Sequence, residues 1–288
     1  MIDKKSFFKF ENNSLIKITG DDRFNFIQGI ISNDINNLKT KPSIYSSILT
    51  PQGRFISDFF LSNYKNSFLL EINKNDETDI LQKLSIYKLR SKINISVVKN
   101  AEIFVISNDS EKSFREYKKE SLCFNDPRFG NIFKRLYLFN KKKNCELKKI
   151  GLNQISNENF HNLRLENAIP NFQIDATKEK SLLMEMRFED LNGISWEKGC
   201  YLGQEITARM KYRNLIKKKI FHIKIDFGGS INNEIKFDQQ VVGNITNHNK
   251  EFGMAYLNIN FLKNFKKKSL ICGDSNITFH TPWWSGSN

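Results

Sequence analysis

No stretch of about 18 apolar residues occurs in this chain, which excludes a membrane-spanning helix. The opening residues, Met1 to Phe8, hold neither a sustained apolar run nor a small-residue cleavage site, so no secretory signal is expected. The four cysteines (Cys123, Cys145, Cys200, Cys272) lie far apart with no Cys-x-x-Cys pair. That pattern offers no local metal cage and suits a reducing compartment, and a cytoplasmic location is the expectation drawn from it. The four histidines, at 161, 222, 248 and 280, lack metal-ligand spacing, and no metal site is expected. Neither an internal repeat nor a long linker is present. No RNA-recognition motif, zinc-finger spacing or base-reading basic helix accompanies the net charge of +14 and pI near 9.5. Much of the excess is lysine, as in Lys141-Lys142-Lys143 and Lys266-Lys267-Lys268, which reads as solvated loop. Direct nucleic-acid binding is therefore not expected. A positive field does favour an anionic small ligand.

What is present is enough apolar material for a substantial core: 39% of 288 residues, with 25 phenylalanines. Alternation predicts a strand over 8–18, and Asp21 or Asp22 can cap a helix carrying Phe24, Phe26 and Ile27. Strands over 45–49, 55–61 and 68–72 with tight turns between them predict a β-meander. A helical period covers 76–88, and strands follow over 93–98, 102–106 and 132–139. The polar segment 108–122 reads as a surface helix or loop. A helix from Asn157 stops at Pro170. Residues 171–197 show little periodicity, the pattern of a segment that wraps a pocket. Beyond Lys217-Lys218-Lys219, short strands punctuated by glycine predict a small antiparallel barrel.

The most specific stretch is Lys198-Gly199-Cys200-Tyr201-Leu202-Gly203-Gln204-Glu205. It sets a lone thiol between two glycines, beside a lysine, just before a predicted helix over 204–213. Glycine permits a sharp turn and close approach to a ligand. A helix N-terminus and a nearby lysine both favour a thiolate. A tight turn holding a small buried cysteine is the alternative reading.

Lys-Gly-Cys-Tyr-x-Gly-Gln-Glu resembles the defining octapeptide of the YgfZ family, folate-binding proteins that assist iron–sulfur cluster assembly within the superfamily of the glycine-cleavage T-protein, an aminomethyltransferase. Weaker matches follow in order: 18–29 continuing to Ser32-Asn33-Asp34, 49–54, Asp126-Pro127-Arg128 with Arg135, 163–170, and 242–256. The resemblance implies an α+β T-protein-like fold, with two α+β subdomains around a folate channel and a C-terminal antiparallel β-barrel. It divides the chain into 1–215, with subdomain boundaries near 45–50 and again near 130, and a barrel over 216–288.

The same resemblance supplies site expectations. Cys200 and Lys198 are the expected catalytic pair. Glu166 resembles a glutamate that contacts the pterin ring, and a carboxylate can accept two hydrogen bonds from an amino-pyrimidine edge. Asp58, Arg54, Tyr201, Gln204 and Arg209 complete the expected contacts to tetrahydrofolate. Glu205 can instead pair with Arg209 on the helix. Where the aminomethyltransferases carry two adjacent aspartates, this chain has Ser57-Asp58, and the lost carboxylate argues against aminomethyl transfer itself. Expected partners are a folate and iron–sulfur client or assembly proteins. The alternatives are a folate-dependent aminomethyltransferase and a tRNA-binding module, and turnover of any substrate is left open.

Overall fold

A computed structural model describes residues 6–107, 120–130, 132–139, 147, 151–263, 265 and 269–286. The chain divides into two compact units. The first comprises Met1–Ile48, Ser57–Phe160 and Asn192–Leu202, and the second Leu49–Ile56, His161–Leu191 and Gly203–Asn288. Residues 49–56 and 161–191 thus cluster with the barrel rather than with the segments that flank them in sequence.

The first unit contains two sheets. The stretch expected as one strand over 8–18 is two, β1 (Ser6–Phe10) and β2 (Asn13–Thr19), because a bend at Glu11-Asn12 sends them to different sheets. After β2 comes the short helix α1 (Arg23–Gln28). Asp22 precedes it, but its carboxylate accepts the Lys92 N–H at 2.6 Å instead of capping the helix. The expected meander follows as β3 (Ser43–Leu49), β4 (Phe55–Tyr64) and β5 (Ser67–Asn73), then helix α2 (Glu77–Lys88) and β6 (Asn94–Val97). These form a sheet in the order β3-β4-β5-β2-β6.

The other sheet is built from β7 (Glu102–Ser107), β8 (Ser121–Asn125), β9 (Phe133–Leu138) and β10 (Asn153–Gln154), in the order β10-β1-β7-β9-β8. The segment 108–122 expected as surface helix or loop overlaps β8 at Ser121 and Leu122, while 108–119 and the lysine runs 141–143 and 266–268 lie outside the described residues. Period-two alternation splits β9. Leu136 and Leu138 join Phe7, Phe104 and Ile106 in an apolar cluster, while Arg135 and Tyr137 turn toward Glu71 of β5.

The second unit holds helix α3 from His161 to its end (Asn157–Glu166), α4 (Phe172–Asp175), α5 (Gln204–Tyr212) and the barrel. The barrel strands are β11 (Lys218–Asp226), β12 (Glu234–Phe237), β13 (Gln240–His248), β14 (Phe252–Asn258), β15 (Ser269–Cys272) and β16 (Ser275–His280), with α6 (Ile259–Lys263) after β14. They close in the order β11-β14-β13-β12-β15-β16, as the glycine-punctuated pattern predicts. Phe221, Ile223 and Ile225 alternate inward and meet Ile235, Ala255, Leu257 and Ile277. Register shifts at 235/236 and 245/247 supply the local bends that closure requires.

Candidate functional site

The octapeptide is shared between the units: Lys198 to Leu202 cluster with the first, Gly203 onward with the second. In the first unit, the motif loop is laced to the chain that follows α1. The last carbonyls of a helix have no partner within it, and a lysine ammonium is suited to them. Lys198 Nζ donates to the carbonyls of Gln28 and Ile31, both at 2.7 Å, and of Asn33 at 2.9 Å. An ammonium has three N–H donors, so these three carbonyls use all of them. Leu202 N–H bonds Gly29 O at 3.0 Å and Ser195 N–H bonds Ser32 O at 3.1 Å. Ser32 Oγ donates to Gly193 O at 2.6 Å, and Asn33 Nδ2 to Asn192 O at 2.7 Å. Partial burial pulls the Lys198 pKa down to about 8, with Asp34 acting against the shift. The ammonium also lies 4.9 Å from the centre of the buried Tyr201 ring. Cys200, two residues on, is exposed.

The expected catalytic lysine is thus placed as the fastening of the cysteine loop. Gln28, Ile31 and Asn33, which accept from it, and Ser32, which bonds Gly193 and Ser195, were not singled out from the sequence as functional. The signal was there in Ser32-Asn33-Asp34, two small hydrogen-bonding side chains and an acid directly after a helix.

Asp58 lies on β4 in the same unit. It accepts a hydrogen bond from the buried Tyr45 hydroxyl at 2.6 Å, and burial raises its carboxyl above the ordinary range, against the pull of Tyr45 and Arg128. Arg128 stacks over Tyr45, Phe60 and Phe129, with its carbon 5.1, 5.0 and 4.6 Å from the ring centres. It also grips Asp126 in a two-pronged pair at 3.0 and 2.9 Å. Arg135 reaches the same Asp126 and pairs with Glu71, which accepts the Tyr137 hydroxyl at 2.8 Å. The chain of buried charges therefore ends at the tyrosine that holds Asp58. Neighbouring Ser57 points elsewhere and donates to Asp76 at 2.8 Å. A second aspartate at 57 would set two carboxylates face to face.

In the second unit, Gly203 precedes α5 at φ +78°, and a side chain there would meet Thr50 O at 2.4 Å. Gly53, at φ +73°, sits against Gly203 O so that a Cβ would come within 2.7 Å. Gly203 is thus required by the Thr50 carbonyl and Gly53 by the Gly203 carbonyl. Gly199 differs, since a Cβ there meets nothing within 4 Å. Arg54 is exposed and donates to Lys180 O at 2.8 Å. Arg209 pairs with Glu205 at 3.5 Å, one turn apart on the exposed side of α5. Gln204 opens α5, and Glu166 ends α3 with its side chain exposed. Arg164, two residues earlier, is buried and bonds Ile169 O and Asp175. Among the described residues, no group of three or more His, Cys, Asp or Glu side chains is placed to hold a metal ion.

No protein-family model matches the chain. It is 30% identical over 255 residues to the mitochondrial iron–sulfur cluster assembly factor IBA57 homolog of Dictyostelium discoideum, covering 76% of this chain and 62% of that one. The mouse factor is 26% identical over 239 residues, covering 76% and 66%. Aminomethyltransferase T of the glycine cleavage system from Bartonella henselae superimposes with a TM-score of 0.81 over 98% of this chain and 87% of its own, at 11% identity. The chain is thus similar in sequence to the IBA57 assembly factors and has the T-protein fold. It spans roughly three fifths of the relatives' length, 62% and 66% in the two cases above. Their names also correct the cytoplasmic expectation, because these relatives are mitochondrial. Scattered cysteines report a reducing compartment, and that property does not separate one such compartment from another. No helix among the described residues is long and apolar enough to cross a membrane.

Proposed function

We propose that this chain binds tetrahydrofolate and assists the assembly or repair of iron–sulfur proteins, with Cys200 as the working thiol. The carrying observation is an exposed cysteine on a loop that is fastened at Lys198 by three hydrogen bonds. A thiol on a fixed, accessible loop can take part in thiol exchange or lend one ligand to a cluster in transit. The cluster is cargo in this reading, and the partner protein supplies its remaining ligands. Effects on tRNA modification follow indirectly, through cluster-dependent enzymes.

The side chains present fit a folate by donor type. A carboxylate such as Asp58 in the first unit or Glu166 in the second suits the amino-pyrimidine edge, and in the second unit the guanidinium groups of Arg54 and Arg209 suit the glutamate tail. Tyr201 and Gln204 add a ring and an amide. Bound tetrahydrofolate would supply a carrier for one-carbon units. Asp58, half-buried with its pKa raised, can hold a proton that an exposed carboxylate would release.

Aminomethyl transfer is the second reading, favoured by the T-protein fold. The Ser57 hydroxyl on Asp76 argues against it, because the position lacks the carboxylate that would assist the chemistry. A tRNA-binding module, the third, rests on charge alone.

Titrating tetrahydrofolate against wild type, Cys200→Ser and Glu166→Ala, beside reactivation of a cluster-dependent enzyme, separates the readings. Cys200→Ser should bind folate normally and fail in reactivation. Glu166→Ala should bind about tenfold more weakly, the loss of one charge-assisted contact. A wild-type protein with no folate affinity ends the proposal, and steady release of ammonia and methylenetetrahydrofolate from an aminomethyl-lipoyl carrier would establish the second reading.

A further inference from the structure

Residues 209–219, Arg-Met-Lys-Tyr-Arg-Asn-Leu-Ile-Lys-Lys-Lys, carry six cations and no acid. All belong to the second unit. Three of the cations have acidic partners: Arg209 with Glu205, Lys211 with Glu189, and Lys218 with Glu185 at 3.9 Å. Arg213 and Lys217 are exposed and have no ion pair among the described residues. A solvated lysine run is the commonplace explanation of such a segment, and it leaves two side chains unexplained. Tyr212 is 71% exposed and Leu215 is 52% exposed, both at the end of α5.

The turn that carries them is fixed. Asn214 adopts a left-handed conformation at φ 51°, Arg213 N–H bonds Arg209 O at 3.0 Å, and Leu215 N–H bonds Met210 O at 3.2 Å. A helix end of this kind commonly packs its trailing apolar residue back on the helix, yet Leu215 remains half in solvent. Further on, the backbone is tied by Ile259 N–H to Lys217 O at 3.0 Å and Ile220 N–H to Glu185 O at 2.9 Å. A surface held this way loses little freedom when covered, which favours binding.

We propose that this helix end is a docking surface for an acidic protein partner, with Tyr212 and Leu215 as its apolar centre and Arg213 and Lys217 as its charged rim. The inference rests on the assembly-factor reading only for the partner being a protein that gives or receives a cluster. An apolar centre of tyrosine and leucine flanked by two exposed cations, neither within ion-pair distance of an acid among the described residues, has the anatomy of a protein interface. Glu205, on the same helix, is paired with Arg209, so the choice between a protein and a phosphate-bearing partner rests on the apolar centre, which a protein surface can cover. Leu215 has no stacking role on a base, and two apolar side chains bury too little area to hold a membrane.

The test is selection of a phage-displayed library of random 16-residue peptides against wild-type protein. Selected peptides are then measured on wild type, Arg213→Glu/Lys217→Glu and Tyr212→Ser/Leu215→Ser. Unfractionated tRNA and phosphatidylglycerol vesicles are measured beside them. Selected peptides should be rich in Asp and Glu around apolar residues, and either double variant should weaken them about tenfold or more. Both variants should keep wild-type circular dichroism and tetrahydrofolate affinity. Peptides bound equally by all three proteins overturn the proposal, as does tRNA or vesicle binding that is tighter than peptide binding and lost in the same variants. Wild-type protein that binds peptides as expected but no folate would remove the functional reading and leave this surface standing.

Discussion

Inside the barrel, Phe221, Ile223, Ile225, Ala255 and Leu257 meet with little but hydrocarbon between them. In the other unit, Glu71, Asp126 and Arg135 are also buried and Arg128 is partly so, each against an opposite charge. Apolar packing is non-directional and tolerates small shifts. A buried ion pair costs desolvation and returns it only in one geometry. The unit that carries Cys200 and Asp58 holds a linked set of such pairs, whose last link is the Tyr45 hydroxyl on Asp58, whereas the second unit's buried pair, Arg164 with Asp175, lies outside the barrel interior. The difference separates a scaffold from a part that must hold side chains at set angles.

Breaking one member on each side tests that contrast. Arg135→Met leaves Glu71 and Asp126 without their shared cation and should cost about 3–5 kcal/mol in denaturant unfolding. It should also disturb Asp58, seen as weaker folate binding. Leu257→Ala in the barrel should cost a comparable 2–5 kcal/mol or so, with folate affinity unchanged once the protein is folded. Equal effects of both variants on folate binding would erase the distinction.

The two motif glycines sharpen it further. Gly203→Ala forces a methyl to 2.4 Å from Thr50 O at a positive φ and should cost about 1–3 kcal/mol. Gly199→Ala meets open space and should unfold within about 0.5 kcal/mol of wild type. If the two alanines behaved alike, the motif would need flexibility at both positions rather than close packing at one.

Acid offers the smallest effect, with opposite signs at one buried carboxylate of each unit, Asp126 and Asp175. Against the cost of burial, Arg128 and Arg135 hold Asp126 below the usual carboxylate range. Its contribution is therefore present above the ordinary pKa and lost as pH falls through the lowered one. Burial raises Asp175, in the second unit, against Arg164 and Thr246. Between the ordinary and the raised value the folded state binds the extra proton, so this group adds stability as pH falls through the raised value. Asp175→Asn should remove the second slope, and Asp126→Asn the first, in unfolding measured from pH 7 to about pH 2, which passes below the ordinary carboxylate value.

Much of this was legible in the sequence. Glycine spacing after residue 217 announced a closed barrel, and the octapeptide with its flanking motifs announced the T-protein fold. Period-two alternation over 133–138 marked β9 but could not say that Arg135 faces Glu71, 64 residues away. Strands β1 and β2 ran together on paper because a bend at Glu11-Asn12 leaves the apolar alternation intact. The Lys198 role was invisible for a related reason. A lysine beside a cysteine reads as thiol activation, while its three acceptors are backbone carbonyls that leave no trace in residue identity. Compartment was misread because cysteine spacing reports redox state alone.

The central claim is that Cys200 is an accessible thiol on a fastened loop whose work is tied to folate. The direct measurement is iodoacetamide labelling of native protein, read by mass spectrometry at each cysteine with and without tetrahydrofolate. Cys200 should label readily while buried Cys272 stays silent, and tetrahydrofolate should change the Cys200 rate severalfold. Cys200 that labels no faster than Cys272, or at a rate indifferent to saturating tetrahydrofolate, would contradict the account.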